Sequence, residues 1–243
     1  MAYLFHVVIY QPIYNALAFI ISLVPGADIG IGIVVITILV RLVLFPLSLS
    51  AIKSQIQMRR IDPELKELDQ KYKDDKQELA KKKMELLKQN NINPFAGVLL
   101  ILAQLPVIIG LYTVLRSEIK SLNFDPTVLY SFVHAPEHAS LIFLGFLDLA
   151  GKSIVLAVIV AGTQFLYARL LKPSQTTKPV PSATPSFQED LANSMQMQML
   201  YIFPILFGFI AYFASSAIAL YFLTSNVFSI AQELVIQKLH GKR

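Results

Sequence analysis

Residues 29–49, IGIGIVVITILVRLVLFPLSL, form an apolar run of a length that crosses a bilayer as one helix, and one arginine, Arg41, stands well inside it. A charge at that depth costs roughly 2.5–3.5 kcal/mol on insertion scales, so it is kept only where it faces a polar cavity, a partner or an interface within reach. Thr37, one turn earlier, is the nearest polar residue, and the run itself offers no carboxylate. Two readings stay open. Arg41 snorkels to the inner headgroups along its own stem, or it sits in a wet, protein-lined recess, the default functional reading of an intramembrane charge. Pro46, five residues on, should loosen the helix where it meets the interface.

The totals agree with a membrane protein: 55% of the 243 residues are hydrophobic and 15% charged, too apolar and too charge-poor for an ordinary soluble domain. Zero Cys excludes disulfides, thiolate metal sites, a cysteine nucleophile and a lipid-modified cysteine. With no Trp, the ten Tyr and sixteen Phe are left to anchor spans at the interface. The net charge of +5 is a topology signal and implies no nucleic acid.

Ahead of the arginine run, residues 3–24 are apolar but broken by His6, Gln11, Pro12 and Asn15. Without a basic leader region or a small-residue cleavage pattern, this stretch is a poor signal peptide. It is either a span or an amphipathic helix at the outer surface. After the run, residues 53–92 turn abruptly polar and hold eleven of the 21 basic residues and eight of the 16 acids. Leu65, Leu68 and Tyr72, then Ala80, Met84 and Leu87, recur at helical spacing. Glu67 and Lys71, Asp69 and Lys73, and Glu78 and Lys82 are acid-first i,i+4 pairs. The polar centre KDDKQ at 73–77 predicts a turn, so the segment reads as a helical hairpin outside the membrane. Its stripes zip the two arms together, or its cations Arg59, Arg60, Lys81, Lys82 and Lys83 touch lipid headgroups or a partner.

Residues 95–115 form the next span, with Gln104 and Pro106 near its middle; the proline should kink it and free a carbonyl. Residues 117–152 are mixed and extracytoplasmic, and the nine-residue apolar run 139–147 is too short to cross and lies against the membrane surface. His134 and His138 read as surface histidines, since Pro136 separates them and nothing nearby completes a metal set. Further spans are 153–171, carrying Thr163 and Gln164, then 200–214 and 217–236; between them 172–198 is a Pro/Ser/Thr linker. Seventeen of the 21 basic residues fall in the hairpin, the linker side and the 237–243 tail, which places all three in the cytoplasm.

The segments GIGI at 30–33 and TILVRLVLFPL at 37–47 closely resemble the first core span of the YidC/Oxa1/Alb3 membrane protein insertases. The likeness continues through DPEL at 62–65, KYK at 71–73, Asn93 with Pro94, QLP at 104–106, Thr163 with Gln164, MLY at 199–201, Pro204 and LYFLTSN at 220–226. It covers nearly the whole chain except the linker. Two positions depart. Ser215, Ser216, Ala217 and Ile218 stand where the family turn usually carries Pro and Gly, and Phe222 stands where Trp is common. The tail is short, which weakens the case for a ribosome-binding extension.

The resemblance implies an all-α, polytopic protein: a five-helix transmembrane core, a cytoplasmic helical hairpin and an N-terminal interfacial helix over 3–24. It implies a single insertase domain in the bacterial inner or plasma membrane, without a large extracytoplasmic domain. A hydrophilic groove would hold Arg41 with Thr37, Gln104, Gln164 and Asn226. The implied partners are nascent membrane proteins and the phospholipid bilayer, with the ribosome and Sec translocon as further ones. No catalytic residue, cofactor or metal is expected, and no Walker A pattern is present. The alternatives are a small-solute transporter or channel, or a non-catalytic assembly scaffold. The sequence reading finds no internal repeat and no intramembrane carboxylate to support a transporter.

Overall fold

The apolar runs and the one polar run divide the chain into long helices, as backbone groups in lipid must be satisfied within each segment. A computed structural model describes residues 2–73, 75–93, 95–121, 124–134, 136, 138–171 and 198–240. The linker at 172–197, the end of the tail at 241–243 and Pro94 lie outside the described residues. The helices are α1 (Ala2–Phe5), α2 (Gln11–Leu23), α3 (Ile29–Val43), α4 (Phe45–Lys71), α5 (Lys76–Gln89), α6 (Ala96–Ser121), α7 (Ile154–Leu171), α8 (Phe203–Ala214) and α9 (Ser216–His240). A π-helical stretch, His6–Tyr10, joins α1 to α2.

Three described helices are long and apolar enough to cross a membrane: Tyr3–Leu23, Ile154–Leu171 and Ser216–Leu239. A fourth is the bent pair Ile29–Val43 and Phe45–Lys71, and Leu102–Arg116 and Leu200–Ala214 are shorter apolar helices. The protein is therefore largely helical and multi-pass. The arginine run, expected as one helix over 29–49, is instead broken at Leu44, and α4 leaves α3 at 62°. Pro46 explains the break: it has no N–H to continue the ladder, and its ring crowds the carbonyl of Leu42. Pro106, expected to kink its span, lies inside a helix that runs from Ala96 to Ser121.

Two pairs of contacts set the direction of packing. Arg41 on α3 meets Ser225 and, seven residues later on both sides, Ser48 at the start of α4 meets Gln232 of α9. Asn226 meets Thr163, and Gln237 meets Leu170. Thus α3 with the start of α4, α7 and α9 all run the same way. The α8–α9 turn closes against the start of α7, where the backbone N–H and hydroxyl of Ser216 both donate to the Gly151 carbonyl, at 2.8 and 3.0 Å. Phe222 packs edge-on against Phe207, with ring centroids 5.2 Å apart.

Between α6 and α7 the run placed against the membrane surface forms a small antiparallel hairpin, Ile142–Phe143 with Leu147–Asp148. It caps the start of α3. Asp28 accepts from Gly30 and Ile31 at the helix N-terminus and from the Leu144 backbone N–H at 2.9 Å. Gly30 permits this approach, because a Cβ there would run into the Phe143 ring. Gly208 does the same for α8, where a Cβ would lie 2.9 Å from that of Ala161 on α7. The α2 helix buries Tyr14, Leu17, Ala18 and Ile21 in the main core. Its Asn15 donates to the Val128 carbonyl and accepts from Tyr130 N–H.

The polar hairpin forms as its composition dictates. Tyr72 ends α4, and Asp75 caps α5 by accepting from Gln77 and Glu78. Ile61, Leu87 and Ile92 make a separate apolar cluster with Met58, Leu65 and Leu86. The expected stripe residue Met84 is exposed. Asp69 pairs across the hairpin with Lys83 at 2.6 Å, while Glu78 pairs with Lys82 as expected, at 3.9 Å. Exposed pairs of this kind contribute only about 0.2–1 kcal/mol each.

Candidate functional site

Arg41 lies in the last turn of α3, where the helix faces α9. Its Nε donates to Ser225 Oγ at 3.0 Å, and Nη2 donates to the same oxygen. Tyr221, one turn earlier on α9, is buried and hydrogen-bonded to Ser225. Gln104 of α6 donates to the Tyr221 hydroxyl at 2.6 Å. A polar chain therefore runs from α6 through α9 to the guanidinium on α3, with Tyr167 of α7 within electrostatic reach. Among the described residues no carboxylate pairs with Arg41. Hydrogen bonds to a charged group contribute about 1.5–3 kcal/mol. A neutral hydroxyl thus holds the arginine in place and leaves its charge uncompensated.

The other expected groove residues divide. Thr37 is buried, and its hydroxyl donates to the Ile33 carbonyl of its own helix at 2.6 Å. It lines a small gap with Ile13, Val107 and Tyr221. Asn226 turns away from Arg41 and donates to Thr163 Oγ1 at 3.1 Å, tying α9 to α7. Gln164 is half-buried on α7. Of the five, the structure joins Arg41 and Gln104 in one network, through Ser225 and Tyr221. Residues 221, 225, 229 and 232, all able to hydrogen-bond, recur every three or four positions along α9, which was the available signal for that face.

The hairpin cations also divide. Arg59 is turned inward, with Nη2 donating to the Leu170 carbonyl at the end of α7, at 3.0 Å. That corrects its expected place on the outer face. Arg60 and Lys81 are exposed. Lys82 bonds Glu85 at 3.0 Å, and this bond holds the ammonium above its ordinary pKa and the carboxyl below its own. A further correction concerns Glu233, which lies inside the expected last span, 217–236, and is fully buried. The spans do hold a carboxylate. Among the described residues no group of His, Asp and Glu is arranged to bind a metal ion.

The family model described as 60Kd inner membrane protein matches residues 20–243, nearly the whole chain. The chain belongs to this family. It is the YidC/Oxa1/Alb3 family that the motifs resemble. A Fusobacterium nucleatum relative named membrane protein insertase YidC is 32% identical over 232 residues, covering 95% of this chain and 97% of its own length. Relatives of the same name from Oceanobacillus iheyensis and Clostridium tetani are 33% and 30% identical, over 86% and 90% of this chain. They are covered over 74% and 86% of their own lengths. The match to the YidC/Oxa1/Alb3 family takes in Arg41, the departing turn at 215–218, Phe222 and the polar hairpin.

Proposed function

We propose that this chain is a membrane protein insertase and chaperone of the bacterial inner membrane, working through a groove in which Arg41 attracts the polar segment of a nascent protein. The observation that carries the reading is the bonding of Arg41 to Ser225 with no acid paired to it among the described residues. A substrate carboxylate can displace the serine and gain the stronger, charge-assisted bond. The polar segment then needs less hydration on its way across about 30 Å of hydrocarbon. Partitioning of the substrate's apolar helix into lipid drives the step, and no bond is made or broken.

In this reading α3, α6, α7, α8 and α9 are the five spans. The shared direction of α3, α7 and α9 supports spans that alternate out-in and in-out. The α4–α5 hairpin, the linker and the C-terminus then face the cytoplasm, where the basic residues concentrate. The α2 helix lies along the outer half. Support comes from its bonds to Val128 and Tyr130 and from the bond of Ala27 to Ser140, all within the segment joining α6 to α7. Arg60, Lys81, Lys82 and Lys83 meet lipid headgroups or a partner, among which the ribosome and Sec translocon belong.

The test is reconstitution. Purified protein in vesicles should insert a single-span substrate with a short acidic tail, read as protease-protected fragment. Ion or solute flux without insertion would instead mark a transporter. In this cysteine-free chain, cysteines placed at Asp75 and Asp125 should label from opposite sides, and one at the N-terminus should label from outside. Labelling of Asp75 and Asp125 from the same side would end the proposed topology.

A further inference from the structure

The end of the bundle away from the β-hairpin carries a polar layer that the Arg41 network does not use. Residues 48, 52, 55 and 59 share one face of α4, the helix that becomes the first arm of the hairpin. Ser48 accepts from Gln232, Gln55 donates to the Leu171 carbonyl at 3.0 Å, and Arg59 donates to the Leu170 carbonyl at 3.0 Å. The last carbonyls of α7 lack partners within their own helix, so α4 satisfies them from outside. Gln237 of α9 reaches Leu170 from the other side, at 3.4 Å, and donates to Glu233 Oε1 at 2.7 Å.

Two atoms in this layer are buried without a partner among the described residues: Arg59 Nε and Glu233 Oε2. They belong to a cationic and an acidic side chain, and the two are joined through the Leu170 carbonyl, to which Arg59 and Gln237 both donate, and through the bond of Gln237 to Glu233. A buried charged group with a free donor or acceptor is costly. Here each group carries what the other lacks. A change of side-chain rotamer, moving the guanidinium from the Leu170 carbonyl toward Glu233, would satisfy both.

We propose that Arg59 and Glu233 form a two-position latch at the root of the hairpin. In the arrangement seen, Arg59 fastens α4 to the end of α7; in the other it pairs with Glu233 and fastens α4 to α9. The two residues are positioning residues. They set where the hairpin stands over the open end of the bundle, and α9 also carries Ser225 and Tyr221, so the hairpin and the Arg41 network share one rigid element. The latch deepens the insertase reading and rests on it for its purpose, but it is tested without insertion.

Spin labels on cysteines replacing Gln77, at the hairpin tip, and Lys238, on α9, report the hairpin's position in nanodiscs by their distance distribution. Arg59→Gln should broaden the distribution, because neither position can be held. Glu233→Gln, which keeps the volume and the bond to Gln237, should remove the component belonging to the α9 position. The deciding variant is the exchange Arg59→Glu with Glu233→Arg. A glutamate at 59 has no donor for the Leu170 carbonyl, so restoration by the exchange can come only from the pair. Arg59→Glu alone should broaden the distribution or fail to fold, and the exchange should recover a folded protein with a narrow distribution. An exchange that recovers neither, or Glu233→Gln indistinguishable from the unmodified chain, overturns the latch and leaves Arg59 as a cap on α7. Loss of insertion in any variant leaves this outcome unchanged.

Discussion

Two arginines, eighteen residues apart on consecutive helices, meet the same problem in different ways. Arg41 is held by a serine hydroxyl and a tyrosine network inside the bundle, with no acid. Arg59 is held by a helix-terminal carbonyl, with a buried carboxylate close by. The first arrangement gives the guanidinium a hydroxyl partner but leaves a net charge; the second leaves Arg59 Nε and Glu233 Oε2 each without a partner among the described residues, in one buried layer. A charge left over is suited to a passing substrate, and a charge matched by the protein is suited to holding the protein together. On the proposed function, the difference separates a substrate site from a structural one within the same stretch of chain.

Stability measurements sharpen that contrast. The largest effect is expected from Arg59→Ala, which leaves Glu233 without its cation and the Leu170 carbonyl without one of its donors. Removing one member of a buried charged set costs on the order of 3 kcal/mol, read as a clear fall in the temperature at which detergent-solubilised protein leaves its monodisperse peak. Ser225→Ala should cost less, about 1.5–3 kcal/mol, as one charged hydrogen bond is lost and the flexible arginine can turn to water. Arg41→Ala should change stability by about 1 kcal/mol or less, since the lost bond and the relieved burial of charge offset each other. Gln104→Leu should be smallest, within roughly 0.5 kcal/mol. It loses the bond to Tyr221 but also removes Gln104 Oε1, which is buried without a partner among the described residues. If Arg41→Ala were as damaging as Arg59→Ala, the distinction between the two arginines would break.

The sequence made the largely helical, multi-pass architecture and the turn between α4 and α5 legible for physical reasons. A long apolar run has few alternatives in lipid. The KDDKQ centre marks the hairpin turn to within about a residue, with Asp75 as the cap. The bend after α3 was visible as Pro46, though its angle was not. What escaped was rotation about the helix axes. Asn226 and Ser225 are adjacent in sequence but about 100° apart around α9, so choosing Asn226 for the arginine's recess picked the face toward α7. Arg59 shows the same limit. Its composition context reads as a solvated face, and only a contact 111 residues away turns it inward. Glu233 was in plain view as the single acid in the last span, and its neighbours Gln232 and Gln237 were the sign of a polar layer there.

The proposed function stands on the charge of Arg41, and one comparison tests it most directly. Equal amounts of folded protein, unmodified, Arg41→Lys and Arg41→Ala, are reconstituted into vesicles. Each is offered one short-tailed substrate in two forms, with its tail acids intact or neutralised, chosen so that the acidic form depends on the protein. Arg41→Lys should retain much of the activity, losing the planar fork but keeping the charge. Arg41→Ala should lower protected acidic substrate about tenfold, the equivalent of ~1.4 kcal/mol, and the deficit should shrink when the tail is neutral. Equal yields from the unmodified chain and Arg41→Ala on the acidic tail would contradict the account and leave Arg41 as a snorkelling residue.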